Sequence, residues 1–128
     1  MGYDRTVRLD RDFATTVTAV REALAAQGFG ILTEIDVTAT LKAKLGHDME
    51  DYLILGACNP PLAHQALEVD RTIGLLLPCN VVVRADGSGT VVQAMDPGTL
   101  VTLTELPALE PIAAEATRRL DAALATLT

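Results

Sequence analysis

Four residues, Asp86-Gly87-Ser88-Gly89, stand between two valine-rich segments, Val81-Val82-Val83 and Val91-Val92, and they constrain this chain's fold more than any other feature. Glycine adopts positive φ without steric cost, and Asp and Ser side chains bond to nearby backbone, so such a cluster reverses the chain. Two β-branched runs flanking a short turn of this kind form an antiparallel hairpin. The run before the turn reads as a long apolar strand from Ile73 to Val83. The run after it extends from Thr90 to Asp96, where Asp96-Pro97-Gly98 breaks it.

The other elements follow from periodicity. Tyr3, Val7 and Leu9 alternate with Asp4, Thr6 and Arg8, which fits a half-buried strand. Asp10 is placed to cap a helix with Phe13, Val17, Val20 and Leu24 on one stripe, and Gly28 ends it. Phe29, Ile31, Thr33 and Ile35 make a second strand, after which Asp36 caps a short helix through Val37, Leu41 and Leu45 to Gly46. Tyr52 to Cys58 is apolar on both parities and reads as an interior strand. Asn59-Pro60 is a cap followed by the first helical position, where proline loses nothing. Leu109, Ile112, Ala116, Leu120, Leu124 and Leu127 trace a long final helix.

Strands alternating with helices are compatible with parallel βαβ units and an α/β fold with a partly parallel sheet. Helical segments of about ten residues are short for covering parallel crossovers, however. The expected class is therefore α+β, an antiparallel sheet with two long helices on one face and two short inserted helices. No linker or low-complexity segment divides the chain, so residues 1–128 are expected to form a single domain.

Charge and composition exclude function classes. Seventeen acids against ten bases give a net charge of −7. A nucleic-acid surface needs a basic stripe, and single-strand binding needs aromatic platforms. Two lysines, scattered arginines and four aromatics supply neither, so no nucleic-acid partner and no anionic membrane surface are expected. The few aromatics further imply pockets lined by Leu, Val and Ile, a poor fit for a flat stacked ligand. The first residues lead into an amphipathic stretch without an apolar signal region, and two cysteines fit a reducing compartment, so the expected location is cytoplasmic.

Three segments in order carry a resemblance: Gly28-Phe29-Gly30-Ile31-Leu32-Thr33-Glu34-Ile35-Asp36-Val37, Leu53-Ile54-Leu55-Gly56-Ala57-Cys58-Asn59-Pro60-Pro61-Leu62-Ala63, and Ile73-Gly74-Leu75-Leu76-Leu77-Pro78-Cys79-Asn80-Val81. Together they resemble the domain-of-unknown-function family numbered 302, from about Phe13 to the C-terminus. The resemblance implies a β-α-β(4)-α domain similar to the TATA-binding-protein-like fold, with small inserted helices, and a homodimer in bacteria or archaea. It implies no activity. Fold likeness to a DNA-binding protein transfers no function.

Chemistry-bearing residues concentrate at a doublet, Cys58-Asn59 and Cys79-Asn80. If the two strands are antiparallel, the thiols meet at one end of the sheet, with His64 one turn into the intervening helix. Thiolate and imidazole suit a soft metal, and two thiols suit a redox pair. No Cys-x-x-Cys or His-x-x-x-His spacing accompanies them, and free cysteine commonly packs as a small hydrophobe. Packing is thus the reading for both cysteines, with no metal or cofactor expected. Asn59 is explained as a cap. Asn80 lies inside an apolar run, where a buried amide must satisfy a nearby loop or face a pocket. Glu34 and Asp36 share one strand face, and paired carboxylates can divide acid and base roles. A cap for Asp36 and solvation for Glu34 account for them equally well.

The expectation is a small homodimeric binding or interaction domain without turnover, with a small molecule as its candidate ligand; a thiol- or metal-dependent redox or sensing role, or a minor enzymatic activity, at Cys58, Cys79 and His64 is the alternative.

Overall fold

The computed structural model describes residues 2–128. Strand β1 (Asp4–Leu9) leads into helix α1 (Phe13–Ala26), followed by β2 (Gly30–Asp36), α2 (Val37–Leu45), β3 (Tyr52–Cys58) and α3 (Pro60–Val69). A 3₁₀ segment (Arg71–Leu76) precedes β4 (Cys79–Asp86) and β5 (Gly89–Met95). Helix α4 (Gly98–Thr104), a 3₁₀ turn (Pro107–Leu109) and α5 (Glu110–Ala125) complete the chain. The sheet order is β1-β5-β4-β3-β2, and all four neighbouring pairs are antiparallel. Four consecutive strands thus form a meander, and β1 pairs with the last of them. The α+β class holds, and the partly parallel alternative is excluded.

The hairpin is as tight as its sequence requires. Asp86 pairs with Gly89, leaving two turn residues, and Gly87 takes φ +61°, the positive value that a two-residue hairpin demands at its first turn position. Asn59 caps α3 with its Oδ1 accepting from the Leu62 N–H at 3.3 Å. Asp36 caps α2 through the Ala39 N–H at 2.9 Å.

Three expectations need correction. The α1 cap is Asp12 rather than Asp10: its Oδ1 accepts from the Thr15 N–H at 2.8 Å. The run Ile73–Val83 is not one strand. Asp70 Oδ1 accepts from the Thr72 N–H and starts the 3₁₀ segment, and the chain enters β4 only after a cis Leu77–Pro78 bond. Ile73, Leu76 and Leu77 are apolar because they pack with Ala66, Leu100, Leu109 and Ile112, outside the sheet. Finally, α4 is a third short helix, hidden from a periodicity reading by its threonine-rich, seven-residue length.

The main core lies on one face of the sheet. Leu53, Leu55 and Ala57 of β3, Val81 and Val83 of β4, and Val92 and Ala94 of β5 meet Val20, Ala23 and Leu24 of α1 and Leu120, Ala123 and Leu124 of α5. Register makes this a single surface: Leu55 opposes Val81, which opposes Ala94, and Leu53 opposes Val83, which opposes Val92. Each fully buried side chain of this size contributes roughly 1.5–3 kcal/mol. Leu120 is fully enclosed at the centre of α5. Leu120→Ala is expected to lower unfolding free energy by about 2–5 kcal/mol, measured by urea denaturation with an unchanged m-value.

Candidate functional site

The two Cys-Asn segments do meet. Ala57 opposes Cys79 across β3 and β4, which brings Cys58 and Cys79 to the same end of the sheet. Both line a narrow cavity of about 40 Å³ with Phe29, Leu62, Ala66 and Ile112. Its surroundings are aliphatic, and burial, followed by the neighbouring Cys58 thiol, pushes the Cys79 thiol above its ordinary pKa. A thiol held protonated is a poor nucleophile and a poor metal ligand. His64 does not join them. It sits on the exposed side of α3, while Leu62 and Ala66 take the inward side. Among the described residues, no group of three His, Cys, Asp or Glu side chains is arranged to hold a metal.

Asn59 is buried and does double work as cap and tether, its Nδ2 donating to the Gln27 carbonyl at 3.5 Å. The same carbonyl accepts from Arg119 Nη1 at 3.1 Å, so the ends of α1 and α3 are joined to α5.

Glu34 and Asp36 do share a face, but it is the helix side of the sheet. A β-bulge between Ile31 and Thr33 reverses the alternation of β2. Ile31 therefore faces the core, while Thr33 and Ile35 turn to the other side. Glu34 is paired with Arg21 Nη2 of α1 at 2.7 Å rather than solvated alone, and Asp36 is occupied by its cap. Both line a concavity of about 290 Å³ with Phe13, Asp51 and Tyr52.

Asn80 faces a pocket, one of the two alternatives its place in an apolar run left open, but it is not buried there. It is exposed, because β4 turns it to the sheet face that no helix covers. Register arranges that face in rows: Thr33, Gly56 and Asn80; then Ile35, Ile54, Val82, Gln93 and Thr6; then Tyr52, Arg84, Val91 and Arg8. A concavity of about 580 Å³ opens there, lined by Tyr3, Asp4, Tyr52, Asn80, Val82, Gln93 and Met95. Gln93 has both ends engaged, its Oε1 accepting from Arg84 Nε at 3.3 Å and its Nε2 donating to Thr6 Oγ1 at 3.2 Å. Gly56, beside Asn80, has no room for a side chain: a Cβ there would lie 2.0 Å from Thr33 Oγ1 and 2.9 Å from Pro78 Cγ.

The model of the domain of unknown function DUF302 matches residues 5–127. The chain belongs to the DUF302 family. It is also similar to the crystal structure of an uncharacterised conserved DUF302 protein from Bacillus stearothermophilus, with 32% identity, complete coverage of both chains and a TM-score of 0.92. No curated protein matches the chain. The fold that the sequence resemblance implied is thus the DUF302 fold, and β-α-β(4)-α is its element order once the short helices are set aside. No helix among the described residues of this DUF302 chain is long and apolar enough to cross a membrane.

Tyr3, Tyr52, Val82 and Gln93 were not singled out from sequence. Alternation in β4 puts Val82 on the face of Asn80, but Tyr3 precedes β1 and Gln93 lies on β5, so their approach to Asn80 depends on the strand order, which is not local information. The expectation of purely aliphatic pockets is corrected here, since both tyrosines of the chain reach one concavity.

The thiol geometry yields a pH prediction. Because the folded Cys79 thiol ionises later than the unfolded one, its contribution to stability is present below the ordinary thiol pKa and is lost as pH rises through the raised value. Cys79 should react slowly with an aromatic disulfide in the native protein and rapidly in urea. Cys79→Ala should show a shallower alkaline decline in urea-denaturation stability than the parent. Equal native and unfolded reactivity would contradict this account.

Proposed function

We propose that this chain is a binding domain without catalytic turnover, and that its binding surface is the helix-free face of the sheet. The observation that carries the reading is the concavity of about 580 Å³ around Asn80. Its volume lies within the range of small-molecule sites. The carboxamide of Asn80 has no hydrogen-bond partner among the described residues, in a centre strand whose neighbours on that face include Val82 and Gly56. Of the other polar candidates, Glu34 is committed to Arg21, and Asp36 and Asn59 to helix caps. That distribution favours binding over turnover. It also supports the thiol alternative less well, because Cys79 is protonated and His64 faces away.

A thermal-shift screen of metabolites should find stabilising compounds. Asn80→Ala should keep the far-UV circular dichroism spectrum and weaken binding by about fivefold, the equivalent of one net hydrogen bond. A broad screen that leaves the parent unshifted removes this reading.

The same proposal includes a homodimer formed at the β2 edge. On β2, Leu32 at the bulge is 66% exposed and Ile35 is 49% exposed, and its two charges are engaged inside the chain, Glu34 by Arg21 and Asp36 as the α2 cap, whereas the opposite edge, β1, carries Asp4, Arg5 and Arg8. Charged edges resist pairing, and apolar ones invite it. Light scattering should give twice the 13.5 kDa chain mass for the parent and the single-chain mass for Leu32→Lys. A parent that is monomeric at micromolar concentration contradicts the dimer.

A further inference from the structure

We infer that a second copy of this chain roofs the helix-free face, so that the concavity lies between two sheets instead of on one. This deepens the binding and dimer readings above and rests on both.

The site that one chain forms is a floor. Its lining comes from β1, β3, β4, β5 and the residue just before β1, while both long helices are committed to the opposite face. A small-molecule site buries about 70–90% of its ligand, which a floor without a roof does not do. The other wall has to come from outside the chain.

Side-chain pattern and charge identify that wall as another copy. An antiparallel sheet with one free face ordinarily puts polar residues there. Here Ile35, Ile54 and Val82 stand abreast on three successive strands, and Ile35 is 49% exposed. The rows of this face hold two acids, Asp4 and Asp86, and two bases, Arg8 and Arg84, with Arg8 Nη1 paired to Asp86 Oδ2 at 2.5 Å. The face is therefore neutral. The net charge of −7 lies on the other surfaces, where two copies repel.

Register also makes the face complementary to itself. Ile35, Ile54, Val82, Gln93 and Thr6 form its middle row. A two-fold axis along that row sets each member against the same residue of the other copy and exchanges the rows on either side. Asp4 then meets the partner's Arg8, Met95 meets the partner's Val91, and Asn80 meets the partner's Arg84. Opposite charges, apolar side chains and an amide with a guanidinium are thereby matched. The two β2 edges lie one above the other with Ile35 against Ile35, which makes the edge contact and the face contact continuous. Five strands spaced about 4.8 Å apart cover about 24 Å by 20 Å, so two faces enclose about 1,000 Å², the area at which a specific interface begins.

The test separates face from edge. Light scattering over a dilution series gives the dimer dissociation constant of the parent, Thr6→Lys, Val82→Lys and Leu32→Lys. Thr6 is exposed on β1, the strand farthest from β2, so a lysine there spares the core and meets its own copy only across the middle row. Thr6→Lys and Val82→Lys should each raise the dissociation constant by at least about tenfold, with an unchanged far-UV circular dichroism spectrum. In the parent, a neutral gadolinium chelate should broaden the methyl signals of Leu75, which is 84% exposed on the 3₁₀ segment, and spare those of Ile54. In monomeric Thr6→Lys the Ile54 methyls should broaden as well.

A parent that is monomeric at micromolar concentration removes the dimer reading and this inference together. A dimer that only Leu32→Lys dissociates, with its Ile54 methyls open to the chelate, removes this inference and leaves the edge dimer standing. A screened metabolite that raises the melting temperature of monomeric Thr6→Lys as far as that of the parent shows that the floor suffices, which removes the inference and keeps the binding reading.

Discussion

One row of residues across the middle of the sheet holds the two halves of the molecule together. Glu34, Leu55, Val81, Ala94 and Arg5 run from β2 to β1 on the helix side. The three central members are buried against the helices, and the charged members at the ends each reach a different helix. Glu34 pairs with Arg21 of α1, and Arg5 grips Asp121 of α5 through Nε at 2.5 Å and Nη2 at 2.7 Å. Apolar burial supplies most of the attraction, but it has no direction. The terminal ion pairs add orientation, placing α1 toward the β2 edge and α5 toward β1. Partly exposed pairs of this kind add little stability on their own. Their value here is registration, because the helices can slide over a valine surface but not past both ends of it.

With both long helices committed to one side, the other side of the sheet is left to solvent or to a partner. That division explains why the unpaired polarity is found where it is. Asn59, buried among helix ends, has partners for its oxygen and its nitrogen. Asn80, exposed on the opposite face, has none from the protein and needs none for stability.

Much of the fold was legible in the sequence where local chemistry decides structure. Tyr52–Cys58 reads as an interior strand because it is apolar on both parities, and it is interior in the strand order, although only Leu53, Leu55 and Ala57 meet the helices. Asn59-Pro60 and Asp86-to-Gly89 act within a few residues and read correctly. Ile73–Leu77 failed for the opposite reason: its hydrophobicity answers to a second cluster formed with α4 and α5, and composition alone does not say which partner an apolar run will find. At the candidate site, the convergence of the cysteines followed from antiparallel pairing, and the reversal at Leu32 did not. A single inserted residue exchanged the faces of Glu34 and Ile35, which local alternation has no means of signalling. The tyrosine–asparagine concavity depends on β1 lying beside β5, a pairing between distant parts of the chain.

That distant pairing also bears on how the molecule is made. Thr6 and Gln93, bonded across β1 and β5, are 87 residues apart, while β4 and β5 are joined by a two-residue turn. Closing a loop costs about 0.6 kcal/mol more for each doubling of its length. During synthesis β1 emerges first and has nothing to pair with until β5 has left the ribosome, so it is the strand that waits. Until it docks, the backbone edge of β5, rich in valine, is open to any passing strand. The charged residues of β1 then do a second service. Once in place, they convert the most aggregation-prone margin of the nascent sheet into one that other chains avoid.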